Sequence, residues 1–265
     1  VRLPMGVYDI IVFNRSFNDF SNIAFRGNSY ETLEAYARKV ETRVDKKTRV
    51  ETRTIISSPD ELAAATLEGF TVTEDMLGNY SQTTYGRTAP SRSSEETPDG
   101  LYHLHFVPKK LTREVSAVLH IEGLNNIRSA TCRLGGVAES IFLATGKTSA
   151  NTVTQEFTPS NPEFSPGSPF NGTLSCEFEI FGLNVIDNNN LHLDALLVDG
   201  KTEFEGDCTN VKITENDDGT GSVTLILEAS TEKVPDVKPE GGAGSGFDVD
   251  VDGWGNEINT DIPIN

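Results

Sequence analysis

The sequence predicts a mainly β protein built from antiparallel sandwiches. Three observations carry this. Short runs with apolar residues at every second position recur along the chain. Turn-forming Gly, Asp and Asn clusters separate them, and helical patterns do not alternate with them as a parallel α/β sheet would need.

In chain order, "GVYDIIVFN" (6–14) is β-branched and aromatic on both faces, which predicts a strand buried on two sides. Tyr8, Ile10 and Val12 share one of those faces. "SYETLEAYARKV" (29–40) carries Tyr30, Leu33, Ala37 and Val40 near helical spacing. "SPDELAAATLEG" (58–69) offers a second helix, with Ser58 as N-cap, Pro59 in the first turn, Glu61 closing a capping box and Gly69 as the stop. Between them lies a basic stretch in which Val-Glu-Thr-Arg occurs at 40–43 and again at 50–53, predicted to be a solvated loop or hairpin. Residues 81–100 are polar and turn-rich, as in a surface excursion.

"LYHLHFV" (101–107), "EVSAVLHI" (114–121) and "LSCEFEIF" (174–181) alternate. They place Tyr102, Leu104 and Phe106, then Val115, Ala117, Leu119 and Ile121, then Cys176, Phe178 and Ile180 on single faces. "LHLDALLVDGKTEFEG" (191–206) predicts a hairpin with a type I′ turn at Asp199-Gly200. "VKITENDDGTGSVTLIL" (211–227) predicts another with a longer acidic turn. Pro108 and a basic pair in "VPKKLTRE" set the expected domain boundary, giving units 1–110 and 111–265. Within the second, 233–246 is Pro- and Gly-rich and is expected to act as a tether, with terminal strands over 247–264.

The segment "FDVDVDGWGNEINTDIPIN" (247–265) has two readings. The EF-hand pattern needs ligands at loop positions 1, 3, 5 and 12 and glycine at 6. Asp248, Asp250, Asp252 and Gly253 satisfy the first part, but Asn259 stands at position 12 and helix signals do not flank the loop. The strand reading fits better. Phe247, Val249 and Val251 alternate with the aspartates, and after Gly253 the apolar phase moves to Trp254, Ile258, Ile262 and Ile264, which calls for a bulge or bend.

The balance of 22 basic and 40 acidic residues gives a net charge of −18, a field that repels nucleic acid and anionic lipid. Cys132, Cys176 and Cys208 have no metal-ligand spacing, and are read as small buried side chains or as one disulfide plus a thiol. His103 and His105 share a strand face, as exposed strand residues commonly do. Glu177 and Glu179 sit roughly 6.8 Å apart along a strand, a separation glycosidase carboxylates show and outward strand glutamates share. Sequons begin at Asn14, Asn79 and Asn171. The P-loop, nucleophile-elbow, zincin and dinucleotide motifs are missing from the sequence. No catalytic, cofactor or metal site is expected, and the chain is expected not to be an enzyme. Beginning at Val1 and entering a strand pattern at once, it is expected to be a trimmed product.

Three stretches together resemble the fimbrillin-type fimbrial subunits and fimbrillin-like surface lipoproteins of Bacteroidales. They are "LPMGVYDIIVFN" (3–14) with "RGNSYETLEAYA" (26–37), then "LTREVSAVLHIEGLNNIRSATCRLGGVAESIFLATG" (111–146), and the "FDVDVDGW…DIPI" ending. Each is short; their order carries the resemblance, and residues 38–100 match least. It implies two tandem transthyretin-like Greek-key sandwiches, a lipid anchor upstream of this chain as its sole membrane attachment, and display at the outer membrane or in a fimbrium. It also implies partners that are other fimbrial subunits or host and bacterial surface ligands, and assembly by strand addition. The strand expected before Val1 is absent, so the first sandwich should carry an unpaired edge. Tyr8, Ile10 and Val12 on that edge and Phe247, Val249, Val251, Trp254, Ile258, Ile262 and Ile264 in the tail are then the pairing residues. The competing expectation is a carbohydrate-binding surface lipoprotein with a glycan platform on a sandwich face. A single Trp argues against it.

Overall fold

The computed structural model describes residues 3–44, 52–77, 94–96, 102–184, 189–217 and 223–239. The first strands are β1 (Gly6–Phe13), β2 (Ile23–Arg26), β3 (Glu34–Ala37), β4 (Lys39–Val44), β5 (Thr52–Ile56), β6 (Ala63–Val72), β7 (Ser94–Glu96), β8 (Tyr102–Leu104) and β9 (Lys109–Lys110). There follow β10 (Arg113–Glu122), β11 (Ile127–Ala138), β12 (Ser140–Phe142), β13 (Thr152–Phe157) and β14 (Asn161–Phe164). The last are β15 (Asn171–Ile180), β16 (Leu191–Leu197), β17 (Glu203–Asp207), β18 (Thr209–Asp217) and β19 (Val223–Ser230).

The mainly β, sandwich-like fold read from the sequence is the fold of the chain. A five-stranded sheet in the order β14-β15-β10-β19-β18 faces a six-stranded sheet in the order β17-β16-β11-β13-β5-β4. Their inner faces are the alternating residues of the sequence. Val115, Ala117, Leu119 and Ile121 of β10 meet Cys132 and Leu134 of β11 and Leu191, Leu193, Ala195 and Leu197 of β16, all buried in one core. Most neighbours are antiparallel, but β10–β19 and β13–β5 run parallel. Smaller sheets β12-β3-β2 and β1-β6-β9 flank the sandwich. Both the six-stranded sheet and the β12-β3-β2 sheet take strands from each side of 110/111.

Neither predicted α-helix forms; among the described residues the helical segments are 3₁₀ turns at Phe17–Asp19, Glu74–Met76 and Leu124–Asn126. At 29–40 one turn closes when the Leu33 N–H donates to the Ser29 carbonyl at 2.9 Å, and the chain then extends into β3. Over 58–69 tertiary bonds override local propensity. The Ser58 hydroxyl accepts from the Glu179 N–H at 2.9 Å instead of capping a helix. The carbonyl of the buried Leu62 accepts from the Leu111 and Thr112 N–H groups while its own N–H donates to the Thr112 hydroxyl, and residues from Ala63 onward become β6.

Other expectations also need correction. β1 is not buried on two faces: among the described residues it has one neighbour, its side chains are half-buried or exposed, and Val7 is 70% exposed. The run 101–107 leaves its ladder after Leu104, as Pro108 approaches, although Leu104 and Phe106 stay half-buried and His103 and His105 exposed. The beginning of the expected tether is pinned rather than loose. The Val234 side chain is fully buried, its N–H donates to the Glu122 carbonyl at 2.9 Å, and Asp236 accepts from Asn126 Nδ2 at 3.0 Å. The Asp199-Gly200 hairpin forms with a different turn. Gly200 alone takes a positive φ of 69°, and the Asp199 carboxylate accepts from the Lys201 and Thr202 N–H groups at 3.0 and 2.8 Å. The strand candidate 247–264 and most of 81–100 lie outside the described residues.

Candidate functional site

β1 and β6 form a long two-stranded ribbon, because β9 reaches only the first two residues of β6, Ala63 and Ala64. The antiparallel register sets Tyr8 opposite Phe70, Ile10 opposite Leu67 and Val12 opposite Ala65. Directly opposed residues share a face, so the six side chains make one apolar surface. All are half-buried, and among the described residues none belongs to the core or packs against it. The other face of the ribbon behaves differently: Ile11 and Phe13 pack against the core.

The ribbon is anchored at one end. Asn14 closes it, its N–H donating to the Ala63 carbonyl at 3.1 Å and its Oδ1 accepting from the Ala63 N–H at 3.0 Å. Phe13 stacks on Phe25 of β2 with ring centroids 5.3 Å apart, and Phe17 meets both edge-on at 4.8 and 4.7 Å. At the far end Val7 and Met5 are exposed. Among the described residues the backbone of β1 pointing away from β6 has no ladder partner. Two strands alone are marginal in water, and an unpaired apolar edge is a template for another strand.

Of the residues singled out in the sequence, Tyr8, Ile10 and Val12 lie together here; the tail residues Phe247 to Ile264 fall outside the described residues. Sequence reading missed Ala65, Leu67 and Phe70, because 58–69 read as a helix. The β-rich "GFTV" (69–72) was the available signal.

An open cleft of about 640 Å³ is lined by Leu111, Phe181, Leu183 and Ile213 with Lys110, Arg113 and Lys147. Two of its cations are already paired, Lys110 with Glu179 at 2.6 Å and Arg113 with Glu215 at 2.9 Å. Glu179, one of the two strand glutamates, is thus ion-paired and half-buried, while Glu177 is exposed. Among the described residues the group able to hold a metal is His192, Asp194 and Glu205, on the outer face of the six-stranded sheet, and not His103 or His105. No helix among the described residues is long and apolar enough to cross a membrane.

A family model described as Domain of unknown function (DUF5119) matches residues 1–158. No curated protein matches the chain. Among solved structures, a candidate adhesin from Bacteroides ovatus is similar with TM-score 0.48 and 16% identity, over 77% of this chain and 66% of that one. A second candidate adhesin, from Bacteroides thetaiotaomicron, gives TM-score 0.40 and 13% identity, over 78% of this chain and 61% of that one. The chain spans less than two thirds of the length of each.

Proposed function

This chain belongs to the family described as Domain of unknown function (DUF5119), and from that premise we propose a non-enzymatic, cell-surface subunit of fimbrial or adhesin type that assembles by β-strand addition. In this reading an extended segment of another subunit lies along β1. Main-chain hydrogen bonds set its register, and its alternate apolar side chains cover the face made by Tyr8, Ile10, Val12, Ala65, Leu67 and Phe70. The subunit is attached at the outer membrane, or built into a fimbrium, through a lipid anchor upstream of the chain.

The observation that supports it is an apolar face, half-buried and outside the core, on a strand that has one neighbour among the described residues. Fully burying one large apolar side chain contributes about 1.5–3 kcal/mol. Each of these residues keeps part of its area in water, and covering that remainder on several of them together favours a partner strand. The aspartates at 248, 250 and 252 make the tail amphipathic if it extends, so a second copy of this chain carries a suitable donor.

Sedimentation equilibrium of the full chain at physiological salt tests this. Association that depends on concentration, weakened at least tenfold by Ile10→Lys or Leu67→Lys and unchanged by Glu163→Lys on the exposed edge strand β14, is the expected result. A chain that stays monomeric at millimolar concentration, or whose association ignores both ribbon variants, overturns it.

A further inference from the structure

We propose a zinc site on the outer face of the six-stranded sheet, with His192 Nε2, Asp194 Oδ1 and one carboxylate oxygen of Glu205 as ligands. The site is separate from the β1–β6 ribbon and owes nothing to the assembly reading.

Register builds it. His192 and Asp194 lie two residues apart on β16 and so share a face. On β17, Asp207 stands opposite His192 and Glu205 opposite Asp194. Like charges directly across a strand pair are unfavourable; Arg133 offsets part of this at Asp194, and a cation between Asp194 and Glu205 offsets the charge that remains with Glu205 and Asp207.

The imidazole makes the same demand more sharply. Asp207 Oδ1 lies 2.8 Å from Nδ1, and Asp194 Oδ1 lies 3.2 Å from Nε2. A neutral imidazole has one N–H and one lone pair. If Nδ1 donates to Asp207, the Nε2 lone pair faces a carboxylate oxygen, and either a second proton or a metal ion must lie between them. The ligand atoms of His192, Asp194 and Glu205 all fall within 4.8 Å of one another. Around tetrahedral zinc with bonds of about 2.0–2.1 Å, ligand atoms stand about 3.4 Å apart. The His192–Asp194 edge is therefore already at the required length, and the exposed Glu205 closes the set by a rotamer change.

The surrounding groups fit a cation at this point. On β11, Arg133 holds the other Asp194 oxygen, Oδ2, and its Nε donates to Glu156 of β13 at 3.1 Å, which leaves Oδ1 as the ligand atom. Asp207 takes the place of the carboxylate that orients a zinc-bound histidine through its far nitrogen. Imidazole among the donors favours zinc over calcium or magnesium. The fourth position faces solvent and takes water.

Calorimetric titration of the full, EDTA-treated chain with zinc chloride at pH 7.5, with calcium chloride as comparison, is the test. One zinc per chain is expected, with calcium much weaker. Affinity should fall at least tenfold in His192→Ala and Glu205→Gln, and 10–100-fold in Asp207→Asn, which never touches the metal. Circular dichroism confirms that each variant is folded, and the ¹⁵N shift of His192 Nε2 reports the bond directly even if a variant fails. Zinc binding undiminished by His192→Ala, or a His192 ring that holds two protons at this pH and ignores added zinc, overturns the proposal.

Discussion

Gly69 donates its N–H to the Asp9 carboxylate at 2.8 Å while sitting at φ +67°. Between Tyr8↔Phe70 and Ile10↔Leu67 the ribbon carries one extra residue on β6, so this pair forms the β-bulge that keeps the apolar side chains of both strands on one face. A Cβ on Gly69 would meet nothing within 4 Å. Gly69→Ala should therefore cost only the backbone term, about 1–2 kcal/mol, and Asp9→Ala about 1 kcal/mol. Gly172→Ala should cost clearly more, because its Cβ would stand 2.2 Å from the Glu163 carbonyl. Urea denaturation of the three variants checks the ranking, and a Gly69 variant as damaged as the Gly172 one contradicts it.

The same glycine shows what could and could not be read in advance. Gly69 reads in the sequence as a helix stop; the chain uses it, at positive φ, in a bulge. Local sequence specifies that a residue can turn but not which element it serves, and here Leu62, Ser58 and Thr112 make that choice through contacts distant in sequence. β10, β15 and β16 were legible because their alternation is unbroken and the two sheets bury it. β1 was legible as a strand from its own residues, but its place at an edge came only with the family resemblance, since apolar residues on both faces read the same whether a neighbour is present or not. The candidate surface was thus half visible: Tyr8, Ile10 and Val12, without the β6 residues opposite. The His192 group was within reach of the sequence, because a hairpin turning at Asp199-Gly200 already sets His192 opposite Asp207 and Asp194 opposite Glu205.

Arg26 of β2 is tied by charge to Glu34 of β3 and to Glu139, the residue between β11 and β12. Its guanidinium donates to both Glu34 oxygens at 2.6 and 3.0 Å and to Glu139 at 3.3 Å, while the Ser140 hydroxyl also donates to Glu34. The bond from Arg26 holds the buried Glu34 carboxyl below its usual 4.5, against the upward push of burial. A depressed carboxyl contributes stability above its unfolded value and loses it as the pH falls through the folded one. Arg26→Ala should cost about 2 kcal/mol at pH 7, less than a fully buried pair because Arg26 is half in water. It should also flatten the loss of stability below pH 4.5. Thermal melts of both proteins from pH 7 to pH 3 show whether the two curves converge in acid. Parallel curves would contradict the assignment.

The three cysteines are free thiols. Burial pushes Cys176 and Cys208 up to about 11 and Cys132 well above its ordinary value. At pH 8 roughly a thousandth of each partly buried thiol is ionised, and the thiolate is the reactive form. Ellman's reagent should react slowly with the native chain, faster as the pH rises toward 11, and with all three thiols at once in guanidinium. One titratable thiol after unfolding would mean a disulfide; rapid native reaction at pH 8 would mean the sulfurs are not shielded.

Phe157 of β13 and Phe178 of β15 stack at 4.3 Å between centroids with planes 18° apart, one ring from each main sheet. Both are buried, so the stack is where the two layers of the sandwich hold each other directly. Phe178→Ala removes the ring and leaves a cavity, at a cost of about 3–5 kcal/mol. Phe157→Ala should behave alike, and a double-mutant cycle should recover about 0.5–1.5 kcal/mol of coupling from ring geometry beyond burial. Phe164, 48% exposed on the edge strand β14, is the control: its alanine variant should stay within about 0.5 kcal/mol of the parent. Denaturant midpoints at constant slope decide it, because additive losses at Phe157 and Phe178 would mean that each ring packs only within its own sheet.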